Sequence, residues 1–129
     1  MALPPASTSR TLQHVRQVEV RTWQRDDGLW DLEARLCDAR PHPVALRSGP
    51  RDAGEPIHDM QLRVTIDREL QVVDAAAAYD AAPYPGTCER IADDYRRLVG
   101  LNLAKDFRRQ VHARLGATRG CTHLSELAL

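Results

Sequence analysis

The sequence predicts an α+β domain: an antiparallel sheet of about four strands, built as two hairpins, followed by two to three C-terminal helices packed on one face. Three observations predict it. Apolar and polar residues alternate through four segments of the first two thirds, helical spacing takes over from Gly86, and turn chemistry separates the strands within each pair. Strands that come first and helices that come after place the helices together over one side of a sheet.

Each element has its own warrant. In RQVEVRTWQ, Val18, Val20 and Thr22 share one parity, and in WDLEARLC the set Trp30, Leu32, Ala34 and Leu36 alternates with Asp31, Glu33 and Arg35. Asp27-Gly28 between them supplies the positive φ of a tight hairpin turn. The stretch from Pro41 to Pro56 is rich in Pro and Gly and reads as a long connection, a candidate lid or rim. HDMQLRVTID then puts Met60, Leu62, Val64 and Ile66 on one face, with His58 on the same parity. After an Asp67-Arg68 turn, ELQVVDAAAAYDA reads as a fourth strand, although four successive alanines suit a helix equally well by propensity. From Gly86 the stripe Cys88, Ile91, Ala92, Tyr95, Leu98 and Val99 is helical, with Thr87 placed to cap it and Gly100 to end it. Leu103, Phe107, Val111 and Leu115 mark a second helix, and a third begins at Thr122. Residues 1–14 lack periodicity and read as a flexible lead-in; residues 15–129 read as one domain.

Composition narrows the function classes. The apolar fraction of 43%, the charged fraction of 28% and a formal net charge of zero give no footprint for nucleic acid or an anionic membrane. The N-terminus lacks a signal-peptide pattern, and three cysteines, Cys37, Cys88 and Cys121, form neither a CxxC pair nor a dense framework. The expectation is a cytoplasmic protein with reduced thiols, no membrane span, and no nucleotide-binding motif of the GxGxxG or GxxxxGK[ST] kind.

Chemistry gathers near the C-terminus, in Gly120-Cys121-Thr122-His123-Leu124. With Thr122 as helix cap, Cys121 lies beside free backbone N–H groups, which favour a thiolate, and His123 reaches the same space. His58 at the entrance of the third strand and Cys88 in the first turn of a helix also end elements. Two cysteines and two histidines suit tetrahedral zinc, or iron, so His58, Cys88, Cys121 and His123 are the candidate metal ligands. An open fourth position would make such a site hydrolytic through activated water, and a closed one structural. A cysteine nucleophile, with His58 or His123 as base and Asp59 as orienter, is a second chemical reading. Adjacent strand residues point to opposite faces, so Asp59 cannot orient His58 from within a regular strand. The third reading is a non-catalytic accessory domain that binds a protein partner or forms a homo-oligomer, with GCTHL as nothing more than a helix start.

Other residues have plainer explanations. Cys37 continues the polar parity of its strand, and His14, His42 and His112 lie in polar surroundings. Trp23, Trp30, Tyr79 and Tyr84 suit core and rim, Asp26 and Asp27 form a turn, and Arg96-Arg97 and Arg108-Arg109 suit solvated helix faces.

In order along the chain, RDDGLWDLEARL, GEPIHDMQLRVTID, DAAPYPGTC, LVGL and RGCTHLSEL resemble the motifs of an uncharacterised bacterial family catalogued as domain of unknown function 2889. The resemblance runs from about Arg16 to the end. It implies that Asp27, Gly28, Trp30, Asp31, Glu55, His58, Asp59, Cys88, Gly120, Cys121, Thr122 and His123 occupy motif positions, and that Cys37 does not. It also implies further helical sequence beyond GCTHL, against which a chain ending at Leu129 is short. It brings no established activity.

Overall fold

In the computed structural model, which describes residues 2–83, 86–116 and 120–129, strands and then helices follow in the predicted order; the side chains of Thr87, Cys88, Glu89, Ile91 and Thr122 are outside that description. The strands are β1 (Val15–Gln24), β2 (Trp30–Ala39), β3 (Val44–Leu46), β4 (Gly49–Arg51), β5 (Pro56–Ile66) and β6 (Val72–Ala81). Four of them make an antiparallel sheet in the order β1-β2-β5-β6, while β3 and β4 pair separately. The helices are α1 (Thr87–Asp94), running into a 3-10 turn at Tyr95–Leu98, then α2 (Phe107–Leu115) and α3 (Thr122–Ala128).

The first hairpin closes through Arg25 N–H to the Leu29 carbonyl (2.9 Å) and Gly28 N–H to the Arg25 carbonyl (3.2 Å), with Gly28 at φ 85°. Space does not explain the glycine, since an added Cβ would come only within 3.9 Å of Arg68 Nη2. Conformation does: a side chain in the left-handed region costs about 1–2 kcal/mol. Gly28→Ala should therefore lower stability by about that amount, seen as a lower urea midpoint with an unchanged slope. The second hairpin is held by Asp67, whose Oδ1 accepts the N–H groups of Glu69 (3.0 Å) and Gln71 (2.9 Å).

Pairing with β5 decides the fate of the alanine run. Ala75 and Ala77 stand opposite Val64 and Leu62 on the helix side, and Ala76 and Ala78 face away, so strand register overrides helix propensity. Two departures from the sequence reading have local causes. The connection from Pro41 to Pro56 contains the short β3–β4 ribbon, in which every strand is an edge, so Pro50 is tolerated. The second helix starts at Phe107 and not at Leu103, because residues 101–103 are tied to the start of β6 and the turn before it: Val72 N–H bonds to the Leu101 carbonyl and Leu103 N–H to the Leu70 carbonyl.

The core lies between the sheet and the helices. Leu36, Met60, Leu62 and Val64 from the sheet meet Tyr95, Leu98, Val111, Leu115 and Leu124 from the helical layer, all buried. The α1 helix and the 3-10 turn cover β6, and α3 lies over β2 and β5. The helical layer stops there, so β1 is exposed along its whole length.

Candidate functional site

Three of the four predicted ligands meet where α3 crosses the ends of β2 and β5. His58 stands directly opposite Asp38 in the β2–β5 pairing, and both side chains share the helix-covered face with Leu36 and Met60. Register shifts between Asp38 and Ala39, and between Asp59 and Met60, flank this position. Bulges of this kind bend a strand and re-aim its side chains.

Asp38 is the hub. Its side chain is 2% exposed; it accepts from Arg16 Nη2 (2.8 Å), from His58 Nδ1 (2.8 Å) and from the His58 backbone N–H (3.1 Å), and His14 Nε2 is 3.5 Å away. Burial alone would push this carboxyl up, but the hydrogen bonds from Arg16 and His58, with their charges, hold it below the usual carboxylate range. His58 has its Nδ1 committed to the carboxylate, which leaves Nε2 as its free nitrogen.

The other half of the site comes from the start of α3. Cys121 is the residue before the helix, and Thr122 is its first helical residue. Cys121 Sγ is 4.0 Å from His123 Nδ1, and the His123 ring packs on His58 with centroids 4.2 Å apart and a tilt of 37°. Arg16 Nη2 stands 3.5 Å from His123 Nε2. Burial lowers the His123 pKa, and the neighbouring His58 and Arg16 lower it further, which favours the neutral imidazole.

Tyr95 fixes the helix start from below. Its hydroxyl donates to the Cys121 carbonyl (2.7 Å), accepts from the Cys121 N–H (3.0 Å) and lies 3.0 Å from Ser125 Oγ. The glycine of GCTHL is explained by the same approach: a Cβ on Gly120 would lie 2.6 Å from the Leu115 carbonyl oxygen and 3.0 Å from the Tyr95 hydroxyl. Thus Gly120 allows the close passage, and Cys121 and His123 are delivered over β5.

The remaining candidates fall elsewhere. Cys88 is in α1, but its side chain is outside the described residues. Asp59 points to the opposite face of the sheet and binds Arg35 Nε at 2.7 Å, so Asp38 and not Asp59 orients His58. Cys37 is also on that face, and burial with the nearby Asp59 carboxylate pushes its thiol pKa up. The open face carries a shallow hollow of about 350 Å³, walled by Arg21, Glu33, Arg35 and Arg63, with no thiol or imidazole in it. The candidate thiol and imidazoles therefore meet at the helix-covered end and not in this hollow.

The sequence reading passed over Asp38 and Arg16, and it gave His14 only polar surroundings. For Asp38 a signal existed: it continues the parity of Trp30, Leu32, Ala34 and Leu36, and a carboxylate on an apolar parity must find partners when buried. For His14 and Arg16 none existed, since their partner lies 22 or more residues away on another strand. Among the described residues, no three His, Cys, Asp or Glu side chains are arranged so as to hold a metal ion as they stand. No described helix is long and apolar enough to cross a membrane.

Comparison with known proteins gives one match. The family model described as "Protein of unknown function (DUF2889)" matches residues 14–129. No curated protein and no solved structure matches the chain.

Proposed function

Because the chain belongs to the family of proteins of unknown function DUF2889, whose description names no activity, we infer its role from its own side chains: His58, Cys121 and His123 bind a transition-metal ion, zinc or iron. The observation that supports this reading is the Asp38–His58 hydrogen bond beside the Cys121–His123 pair. A carboxylate on the far nitrogen of an imidazole is the usual support of a metal-ligating histidine, because it fixes the ring and raises its basicity.

The distances set the adjustment required. Thiolate and imidazole ligands of one tetrahedral ion, at about 2.3 and 2.0 Å from it, lie roughly 3.5 Å apart. The 4.0 Å between Cys121 Sγ and His123 Nδ1 needs to close by a fraction of an ångström. The stacked His123 ring must then turn so that its nitrogen, Cys121 Sγ and His58 Nε2 converge. Rotation about side-chain torsions is the adjustment required, since Cys121 and His123 at the start of α3 already lie over His58 of β5. A water as fourth ligand would give a hydrolytic centre, and Cys88 as fourth ligand a closed structural one.

The expected result is near-stoichiometric zinc or iron in untagged protein purified without chelator, with at least about a tenfold loss of affinity in Cys121→Ser. Metal content by mass spectrometry, followed by zinc titration, reads both. Wild-type protein that takes up no metal even with micromolar zinc supplied would end this reading. The same Cys121–His123 contact supports a second one, a thiol nucleophile beside a neutral imidazole base. That reading predicts alkylation of Cys121 that slows when His123 is replaced and is indifferent to chelators. A purely partner-binding domain predicts neither.

A further inference from the structure

The exposed strand β1 raises a question independent of the metal reading: what satisfies its outer edge. It is ten residues long, contains no proline, and pairs with β2 without a register shift. Val18 and Val20 are 57% and 65% exposed. Natural sheets shorten, bulge or cover such edges, because the unpaired backbone groups are a template for another strand. The opposite edge, β6, is treated in that way: the N–H and C=O of Val72 bond to Leu101 and Gly100, and its pairing with β5 is bulged twice.

We propose that β1 is a self-complementary edge through which two copies of this chain pair antiparallel, about a two-fold axis at Val20, into one continuous eight-stranded sheet. The direction of the backbone groups follows from the hairpin. Arg25 bonds toward β2 through Leu29, and hydrogen bonding alternates along an antiparallel strand, so Arg16, Val18, Val20, Thr22 and Gln24 turn their N–H and C=O groups outward. An axis at Val20 pairs Val20 with its own copy and Val18 with Thr22 by backbone hydrogen bonds.

The side chains select this register. With the axis at Val20, Glu19 opposes Arg21 of the second copy and Arg21 opposes Glu19, at the non-hydrogen-bonded positions where side chains are closest. Within one chain Arg21 Nε already bonds to Glu19, so the pair forms a ring of four alternating charges across the axis. Moving the axis to Glu19 sets that carboxylate against itself. Moving it to Val18 sets Gln17 against Glu19 and Arg16 against Val20, with no ion pair. A formal net charge of zero removes long-range repulsion between copies.

Charge swaps test the register. Arg21→Glu sets carboxylate against carboxylate across the axis, and Glu19→Arg sets guanidinium against guanidinium, so each variant alone should dimerise at least about tenfold more weakly in analytical ultracentrifugation. Mixed in equal amounts, the two should form a heterodimer, because every cross-axis pair is again opposite in sign. Both native side chains are more than half exposed, so the substitutions leave the fold intact. On the unmodified protein, the amides of Val18, Val20 and Thr22 should exchange more slowly as concentration rises. A wild-type chain that stays monomeric at hundreds of micromolar overturns the proposal. So does a dimer insensitive to the swaps, or swapped chains that fail to associate when mixed.

Discussion

Asp38→Ala is expected to destabilise the protein by about 2–4 kcal/mol, a large share of the 5–15 kcal/mol typical of a domain. Most of that cost comes from the donors the substitution strands. The His58 backbone N–H loses its acceptor, the His58 ring loses the partner of its Nδ1–H, and the side chain removed is 2% exposed. Each unsatisfied buried donor costs about 1–3 kcal/mol. The ion pair with Arg16 adds little, because the arginine is 39% exposed and solvent screens it. Two companions separate these contributions. Asp38→Asn keeps an acceptor for His58 and should cost roughly 1 kcal/mol, and Arg16→Ala should cost under about 1 kcal/mol. Urea unfolding reads all three. If Asp38→Ala and Arg16→Ala prove equal, the carboxylate's role is the exposed ion pair and not the ordering of His58. Under the proposed metal-binding role, the same Ala variant should weaken zinc uptake by about 10- to 100-fold, as loss of a ligand-orienting carboxylate does.

The sheet was legible in the sequence because its signals are local. Period-two alternation in DMQLRVTI and an Asp-Gly turn state strand, face and hairpin without reference to anything distant. The alanine run showed the limit of local propensity, since only the partner strand β5 settles it. The helix starting at Phe107 showed another: Leu103 fits the helical stripe, yet its N–H is taken by the Leu70 carbonyl, a contact no local pattern contains. The candidate site divides in the same way. Cys121 and His123 announced themselves by spacing, and His58 by its place on an apolar parity. Their relation to Asp38 depends on cross-strand register, and the relation to Arg16 depends on a third strand. The bulge between Asp38 and Ala39 leaves no sequence signature, though it helps set the direction of the two side chains.

Tyr95→Ala should cost about 4 kcal/mol and take the candidate site apart, since Tyr95 is fully buried and is the only described side chain seen to bond both backbone groups of Cys121. Most of that cost is the cavity left among Leu98, Val111, Leu115 and Leu124. Tyr95→Phe isolates the hydroxyl. It leaves the Cys121 N–H without its acceptor and should cost about 1–3 kcal/mol. Burial keeps the phenol protonated by raising its pKa, so the hydroxyl remains both donor and acceptor below the ordinary tyrosine range. The two substitutions part company on the site. In Tyr95→Phe the ring still fills the core and the remaining α3 packing, including buried Leu124, keeps the helix over β5. The His58–His123 contact should therefore survive in Phe and be lost in Ala, visible as imidazole resonances that collapse toward solvent-exposed values only in Ala. Loss of that contact in Phe as well would mean that the hydroxyl, more than the packed ring, holds α3 in place, and that the start of GCTHL is positioned by two hydrogen bonds.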